Sequence, residues 1–408
     1  MRVIGIIAEF NPFHKGHEYL IERAREAVGD PRAIVMTVMS GPFVQRGTPS
    51  ILPKNIRAKQ ALKSGADLVI EIPFTFACAP SERFARGAVE TLYRTGVVTD
   101  LAFGVDCEDP DLIRTLSEIE PDDETIRNCL SDGMNYPAAR AEGMIAALKT
   151  QNPTAAARED MIRETLRMPN SILALDYLRA VKDVGAESRF KIHMIPRKPG
   201  YSATSSREIY LGGRSIATLP DKLIDMIPTN ALAVMLAGLS NKEYTFPDTD
   251  RYADDLISEA VKSDLSGYAY MTDGLDGYIK NTVSGMRTFS YEDLRSELQT
   301  KHFTMPRIMR AMSSALVGQS AEYVANEKHP RYIRVLGFNR DGRYCLKVMS
   351  KCARLPLIHN CSDAKELYAS EPALKAQFEL DINAGEVQGK YLGIPRGSQW
   401  SDCPIITK

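Results

Sequence analysis

Short apolar runs alternate with stretches of helical periodicity over the first hundred residues, and this alternation constrains the fold most strongly. The apolar runs cover residues 3–8, 33–39, 67–72 and 101–104, and the helical stretches cover residues 17–27, 56–64 and 82–95. Apolar runs of this length are typical of strands that are buried on both faces. Strands connected through helices form a parallel sheet with right-handed crossovers. The pattern therefore predicts an α/β fold with helices on both faces of a parallel sheet.

The pattern changes in the second half of the 408-residue chain, whose length allows two or three domains. Helical periodicity continues at residues 134–149 and 171–184, a further strand is predicted at 190–195, and a helix begins near residue 205. After residue 219 strand signals fade, and residues 219–239, 251–265 and 279–298 have helical patterns. We expect an α/β domain of residues 1–218 followed by a mainly helical region of residues 219–408.

Charge is distributed unevenly along a nearly neutral chain. The chain has 51 Lys and Arg against 52 Asp and Glu, so its total charge argues neither for nor against a nucleic-acid partner. Residues 301–356 are basic, with eleven Lys or Arg against three Asp or Glu, and Tyr332, Phe338 and Tyr344 lie among the arginines. This combination favours RNA binding about as strongly as it favours a solvated helix face. Residues 100–124 are acidic, and we interpret them as a solvated connection with short helices because the acids are dispersed.

Cysteine usage and the N-terminal residues bear on the compartment. The seven cysteines are scattered and none forms a CxxC pair, which favours reduced thiols over disulfides or a zinc site. The apolar run at residues 3–8 is too short for a signal peptide, and no run of about 20 apolar residues predicts a membrane span. We therefore expect a cytoplasmic protein with no membrane partner.

The most informative stretch is residues 9–17, which read Glu-Phe-Asn-Pro-Phe-His-Lys-Gly-His. It directly follows the first predicted strand and opens the first helix. His14 and His17 are three residues apart, so both can face one site at the helix N-terminus, and Gly16 allows close approach of the backbone to a ligand. A helix N-terminus attracts phosphate, and two imidazoles there can donate hydrogen bonds as charge grows on phosphate oxygens.

A zinc site and a purely structural role are the two other interpretations of this histidine pair. A zinc site needs a third and a fourth ligand, and the other four histidines, at positions 193, 302, 329 and 359, are distant in sequence. We therefore predict no metal site in the protein itself. A purely structural role for both histidines is the minority view, because the strand–turn–helix context favours a ligand site.

The stretch resembles the HIGH signature of the nucleotidylyltransferase and class I synthetase superfamily. Several other segments resemble the tRNA(Met) cytidine acetate ligase family, and together they span most of the chain: residues 39–47, 65–73, 169–173, 197–201, 301–310, 332–339 and 355–358. This resemblance implies a Rossmann-like nucleotidyltransferase domain. It also implies an enzyme that activates acetate with ATP as acetyl-adenylate and then acetylates the wobble cytidine of elongator tRNA(Met) to N4-acetylcytidine.

Transferred to this sequence, the family's ATP site begins at the signature and includes three later positions. It comprises Ile7, Ala8, Glu9, Phe10, Asn11, Pro12, Phe13, His14, Lys15, Gly16, His17, Glu18, Tyr19, Leu20, Gly104, Asn170 and Arg197. The resemblance implies catalytic roles for His14 and His17, with Mg²⁺ carried by the nucleotide. It also implies acetate and elongator tRNA(Met) as the partners.

Other positions are candidates with open alternatives. Gln45 and Arg46, with Lys54 and Arg57, follow the second predicted strand and could face acetate or pyrophosphate, although surface charge explains them equally well. Ser205, Ser206 and Arg207 suit a phosphate tail but could equally form a helix cap. The residues that we expect to hold tRNA phosphates are Lys301, Arg307, Arg310, Arg331 and Arg334.

Two rival functions use the same nucleotide site. One is a small-molecule adenylyltransferase or acid–amine ligase, and the other is an RNA-binding protein that binds nucleotide without turnover. The sequence leaves three candidates for the base that removes the cytosine amine proton, namely His14, His17 and a water molecule. It indicates neither the oligomeric state nor how the tRNA is selected.

Overall fold

The computed structural model describes residues 1–107, 109–153, 158–287, 290–300 and 302–408. Its strands are β1 (Val3–Ala8), β2 (Ile34–Ser40), β3 (Leu68–Ile72), β4 (Asp100–Val105), β5 (Lys191–Pro196), β6 (Ile333–Phe338), β7 (Leu357–Ile358) and β8 (Ile405–Ile406). They form a single sheet in the order β5-β4-β1-β2-β3-β6-β7, with β8 paired to β6.

Helices connect these strands and build the second half of the chain. Those in the first half are α1 (Lys15–Val28), α2 (Lys54–Lys63), α3 (Phe74–Ala77), α4 (Ser81–Arg94), α5 (Pro110–Ser117), α6 (Asp123–Ser131), α7 (Tyr136–Gln151), α8 (Glu159–Thr165), α9 (Pro169–Asp183) and α10 (Ala203–Gly213). Those in the second half are α11 (Lys222–Met226), α12 (Thr229–Ser240), α13 (Thr249–Lys262), α14 (Leu275–Gly285), α15 (Tyr291–Leu298), α16 (Met305–Val317), α17 (Ala321–Asn326), α18 (Arg340–Cys352), α19 (Cys361–Leu367) and α20 (Pro372–Tyr391).

The predicted parallel sheet is confirmed in its first five strands. β1 pairs in parallel with β2 and β4, β2 pairs with β3, and β4 pairs with β5. β1, β2 and β3 are mostly apolar and are buried along their whole length, as a sheet covered on both faces requires.

The fading of strand signals after residue 219 misled the prediction, because β6, β7 and β8 all lie beyond it and join the sheet. Residues 333–338 form β6, which runs antiparallel to β3 and places Arg334 opposite Glu71. A charged residue within a short apolar run hides the strand pattern, because only the tertiary partner shows that the charge is neutralised. The division of the chain at residue 218 stays a prediction, and the sheet contains residues from both sides of it.

Four apolar clusters of described residues hold the helices in place, and the smallest joins α19 and α20 near β7. One sheet face is covered by α4, α9 and α18, through residues such as Ala88, Ala180 and Met349. The other face is covered by α1, α2 and α12. The third cluster lies within the helical second half, where α13 to α16 pack against α20. The expectations of helices on both sheet faces and of a mostly helical second half are therefore confirmed.

A large cavity lies where the carboxyl ends of the parallel strands meet the helical second half. Its volume is about 1330 Å³, and it is lined by residues that follow β1, β2, β4 and β5 together with residues from α16 and α17. Open α/β sheets bind ligands at this edge. Among the described residues, no helix is long and apolar enough to cross a membrane.

Candidate active site

The turn between β1 and α1 is held firmly against a neighbouring segment. The Asn11 side-chain oxygen accepts a hydrogen bond from the backbone N–H of Ile51 at 2.9 Å, and the Glu9 carboxylate accepts one from the backbone N–H of Gln45 at 2.7 Å. Phe10 adopts a left-handed φ of 48°, and the Asn11–Pro12 peptide bond is cis. The two side-chain bonds position the turn before the helix begins.

His14 and His17 cap the N-terminus of α1 with their ring nitrogens. His14 Nδ1 accepts a 3.0 Å hydrogen bond from the backbone N–H of Gly16, and His17 Nδ1 accepts a 3.2 Å bond from the backbone N–H of His14. The two rings stack with centroids 3.7 Å apart. Since both Nδ1 atoms accept, the proton of each neutral ring lies on Nε2. Each imidazole can therefore donate a hydrogen bond through its Nε2–H group.

Both histidines are neutral near pH 7. Burial, together with the positive charges of Arg197 and Arg207, lowers the pKa of His14 from 6.5 to about 3. Burial and the neighbouring His14 and Arg197 lower the pKa of His17 as well. The pair therefore offers hydrogen bonds rather than charge, and Arg197 and Arg207 place positive charge beside it.

Gly16 is required by the position of the His14 ring. A Cβ atom at residue 16 would lie 2.8 Å from Cε1 and 2.9 Å from Nδ1 of His14. Any larger residue at this position would push the ring away from the helix N-terminus. This steric reason for the glycine differs from the one expected, which was close approach of a ligand.

Asp106 connects two of the candidate ligand residues, and the sequence interpretation missed it. Its carboxylate accepts hydrogen bonds of 2.8 Å from Asn170 Nδ2 and 2.8 Å from Arg197 Nη1. Asp106 directly follows β4, Arg197 directly follows β5, and Asn170 lies in the first turn of α9. A signal was present, because an acid placed immediately after a buried parallel strand lies at the ligand edge of the sheet.

Arg207 lies in different surroundings from Ser205 and Ser206, the two serines that precede it. Arg207 donates to the backbone oxygen of Asn11 at 3.0 Å and lines the cavity. Ser206 is buried and donates to the backbone oxygen of Ser202, whereas Ser205 is exposed and its N–H donates to Ser202 Oγ. Neither serine lines the cavity. The helix-cap alternative therefore describes these two serines, with Ser202 as the capping residue.

Most of the expected nucleotide residues line the cavity. From the signature these are Ile7, Ala8, Glu9, Phe10, Asn11, His14, Gly16, His17, Tyr19 and Leu20, and from elsewhere Gly104, Asn170 and Arg197. Gln45 and Arg46, the candidates for acetate or pyrophosphate contact, line it as well. Pro12, Phe13, Lys15 and Glu18 do not line it. Phe13 is instead fully buried and packs against Phe10 and His17. Phe13 therefore supports the turn by packing in the core.

Known proteins match this chain over nearly its whole length. Residues 1–396 match the family model of the HIGH nucleotidyl transferases. A tRNA(Met) cytidine acetate ligase of Acetivibrio thermocellus is 31% identical over 95% of this chain and 94% of its own length. Another from Fervidobacterium nodosum is 32% identical over 95% and 94%. This chain belongs to the tRNA(Met) cytidine acetate ligase family.

A solved structure from this family has the same fold. The Thermotoga maritima TmcAL bound with alpha-thio ATP is 27% identical, with a TM-score of 0.88, and the match covers 100% of both chains. The apo form I of the same protein matches with a TM-score of 0.89. The family resemblance inferred from the signature and the later segments is thus confirmed.

Lys54 and Arg57 are structural residues in this member of the acetate ligase family. Arg57 is fully buried and donates to the backbone oxygens of Glu9 at 2.7 Å and Ser40 at 2.9 Å. Burial lowers its pKa to about 10, and the backbone oxygens of two strand ends satisfy its guanidinium. Lys54 is buried 3.2 Å from the Glu71 carboxylate. Neither lines the cavity, so both the acetate-contact and the surface-charge interpretations are wrong for these two residues.

The residues expected to hold tRNA phosphates are scattered. Arg307 and Arg310 line the cavity, whereas Arg331 is paired with Glu327 away from it. Arg334 is 3% exposed and pairs with Glu71 at 3.5 Å, so its side chain does not reach the surface. Lys301 lies outside the described residues.

The aromatic residues of the basic segment do not form an RNA-stacking surface. Tyr332 and Phe338 are buried, and among the three only Tyr344 is exposed. The RNA interpretation based on interleaved aromatics is therefore wrong for the first two. Their spacing reflects β6 and its neighbours packing into the core.

Metal-ligating groups are dispersed over the part of the chain that the structure describes. There, no group of three or more His, Cys, Asp or Glu is arranged to hold a metal ion. The cysteines are free thiols. In the cavity, Asp106 is already engaged by Asn170 and Arg197.

Proposed function

We propose that this chain is an ATP-dependent acetate ligase that forms acetyl-adenylate and acetylates the wobble cytidine of elongator tRNA(Met) to N4-acetylcytidine. The observation that carries the proposal is the pair of neutral Nε2–H donors, His14 and His17, at a helix N-terminus inside the cavity. The names of the family relatives support acetate and a cytidine of tRNA(Met) as the substrates.

ATP binding is supported by the charges and donors around this helix end. The N-terminus of α1 attracts phosphate, and Arg197 and Arg207 add positive charge on the same cavity wall. Arg197 is preorganised by Asp106, and Arg207 by the backbone oxygen of Asn11. The Thermotoga maritima protein is bound with alpha-thio ATP, which supports nucleotide binding by this chain.

The first step joins acetate to the α-phosphorus. An acetate oxygen attacks this phosphorus, the bond to the bridging oxygen breaks, and pyrophosphate leaves with the bond electrons. Negative charge grows on the phosphate oxygens, and preorganised donors stabilise it without reorganisation. Two neutral imidazoles suit this role, because each keeps its proton and directs Nε2–H toward the developing charge.

The second step transfers the acetyl group to RNA. The cytosine N4 attacks the acetyl carbonyl carbon, AMP leaves, and a proton is lost from the amine. No protein nucleophile is required, so positioning supplies much of the rate. Both Nδ1 atoms already accept backbone hydrogen bonds and both Nε2 atoms carry protons. This favours the water molecule over either imidazole as the base.

The remaining parts of the proposal concern the metal ion, the RNA and the compartment. Mg²⁺ would arrive with the nucleotide, whose phosphates and waters supply most of its ligands. Arg46, Arg307 and Arg310 line the cavity and would contact RNA phosphates near the reacting base. A tRNA substrate supports a cytoplasmic location for the enzyme.

The test is incubation of the full chain with ATP, labelled acetate and an elongator tRNA(Met) transcript. Label in the RNA with stoichiometric AMP and pyrophosphate is expected, and a transcript with uridine at the wobble position is the matched control that stays unlabelled. Absence of both label and AMP would defeat the proposal. AMP formation without RNA labelling would favour the rival acid–amine ligase with a small-molecule acceptor.

A further inference from the structure

The cavity has a second wall that the adenylation step does not use. It is formed by the segment before α14, including Tyr270, Thr272 and Asp273, and by the start of α16, including Arg307 and Arg310. The total volume of about 1330 Å³ exceeds the 300–1,000 Å³ that is typical of a pocket for one small ligand. The cavity therefore has room for a second, sizeable group beside a nucleotide.

The backbone of this wall is strained at two positions. Tyr270 has φ 68° and Asp273 has φ 58°, in the left-handed region that non-glycine residues rarely adopt. Surrounding contacts hold the segment, since the Ala269 N–H donates to the backbone oxygen of Gln319 at 3.0 Å and Arg307 donates to Asp273 at 2.6 Å. Strain that is held in place at a cavity wall is typical of ligand-binding segments.

Tyr270 offers its ring to the cavity. The residue is half-buried and lines the cavity, while its hydroxyl oxygen is buried with no hydrogen-bond partner among the described residues. Burial raises the pKa of this hydroxyl, so it stays neutral. With the oxygen turned into the protein, the aromatic ring is the part of the side chain left to face a ligand.

Positive charge lies on the same wall and at its rim. Arg46 is exposed, lines the cavity and makes no ion pair with any described residue. Arg310 donates to the backbone oxygen of Gln45 at 3.2 Å, and its Nε has no partner among the described residues. A ring flanked by guanidinium groups suits a nucleotide, because the base stacks on the ring and the phosphates meet the cations.

We propose that this wall receives an unstacked pyrimidine nucleotide of a single-stranded RNA loop, with the base on the Tyr270 ring and its flanking phosphates near Arg46 and Arg307. The proposal rests on the proposed function, because it assigns the place of the second substrate. Acetate is the competing occupant of this wall, but a two-carbon acid needs neither an aromatic face nor several cations.

The experiment compares two substitutions at residue 270 in the full chain. Tyr270→Leu keeps apolar volume but removes the aromatic face, whereas Tyr270→Phe keeps the ring. We expect Tyr270→Leu to lower kcat/KM for the tRNA(Met) transcript by about tenfold or more, and Tyr270→Phe to lower it by less than about threefold. Acetate-dependent ATP–pyrophosphate exchange, measured without RNA, reports folding and the nucleotide site and should fall far less than RNA acetylation in Tyr270→Leu.

A matched control lies on the solvent-facing side of the basic helix α18, whose other side packs against the sheet. Tyr344 is 58% exposed and does not line the cavity, so Tyr344→Leu should change neither reaction. Loss of RNA acetylation in Tyr344→Leu with none in Tyr270→Leu would place the RNA on α18 and overturn the inference. A raised KM for acetate in the exchange reaction of Tyr270→Leu would assign the wall to acetate and overturn it too.

Failure of the inference is distinguishable from failure of the proposed function. A wild-type chain with neither exchange nor RNA labelling would contradict the proposed function itself. An active wild type whose Tyr270→Leu and Tyr270→Phe variants acetylate RNA equally well would contradict only the assignment of the wall.

Discussion

Asp106 and Arg197 form an ion pair of 2.8 Å that ties the carboxyl end of β4 to the carboxyl end of β5. The other carboxylate oxygen of Asp106 accepts from the side chain of Asn170 at 2.8 Å. Asp106 thus fixes the position of the Arg197 guanidinium relative to the Asn170 amide on the cavity wall. This arrangement makes Asp106 a positioning residue for two of the expected nucleotide contacts.

We expect Asp106→Asn to raise the KM for ATP about tenfold, which corresponds to about 1.4 kcal/mol, because Arg197 loses its charged partner and its fixed orientation. The measurement is the ATP dependence of acetate-dependent pyrophosphate exchange. Asp111→Asn is the control, since the Asp111 side chain is 93% exposed and pairs only loosely with Arg114. Equal KM values in the two variants would contradict the positioning role.

Gly16→Ala should reduce activity while leaving stability nearly unchanged. The added Cβ would displace the His14 ring, and loss of one preorganised donor costs about a hundredfold in kcat. Alanine also favours helix over glycine by about 1 kcal/mol, which offsets part of the steric cost. Exchange rates and urea unfolding are the two measurements. Gly277→Ala in α14, where a Cβ meets nothing within 4 Å, is the control and should keep full activity.

The lowered histidine pKa values predict loss of stability in acid. Below pH 6.5 the unfolded chain binds a proton at residue 14, but the folded chain does not until about pH 3. The contribution of His14 to the free energy of unfolding is therefore constant above pH 6.5. Between pH 6.5 and about pH 3, this contribution falls by about 1.4 kcal/mol per pH unit as the pH drops.

His14→Asn isolates this contribution. Asparagine retains an acceptor for the N-cap hydrogen bond but does not titrate. Between pH 7.5 and pH 5, the wild type should lose about 2 kcal/mol more unfolding free energy than the variant does. Urea unfolding at both pH values measures this difference, and identical pH dependence in the two proteins would show that His14 titrates normally.

Glu71→Gln should destabilise the fold strongly. The Glu71 carboxylate is buried within 3.2 Å of Lys54 and 3.5 Å of Arg334. Its neutralisation leaves the buried Arg334 without its carboxylate and leaves Lys54 with only the more distant Asp402, at 3.9 Å. The expected loss is about 3–5 kcal/mol of unfolding free energy, measured by urea unfolding at pH 7. Glu379→Gln is the control, because its pair with Lys375 is exposed at 3.9 Å and should contribute at most about 0.5 kcal/mol.

Part of the site could be predicted because its signals are local. The strand before residue 9, the helix after residue 14 and the histidine spacing between them all lie within one short stretch of chain. Local periodicity determined these elements, and the residues at the turn then had to face the carboxyl edge of a parallel sheet. The sequence could not separate a helix cap from a phosphate contact at residues 205–207, since both use the same residue types.

Other residues could be placed only by the assembled fold. Asp106 meets Arg197 across 91 positions of the chain, and Phe74 meets Asp381 across 307. A sequence pattern predicts that Arg57 and Arg334 lie on the surface, yet both are buried in the core. There Arg57 donates hydrogen bonds to backbone oxygens, and Arg334 forms an ion pair with Glu71.

The sequence by itself determined the parallel strands, the β1–α1 turn and the family, because each depends on neighbouring residues in a recognisable order. Only the tertiary structure decided which charges are buried, which aromatics face the cavity, and that strands from the second half complete the sheet. These outcomes depend on partners that are distant in sequence, since whether a charge is buried is determined by the group that neutralises it.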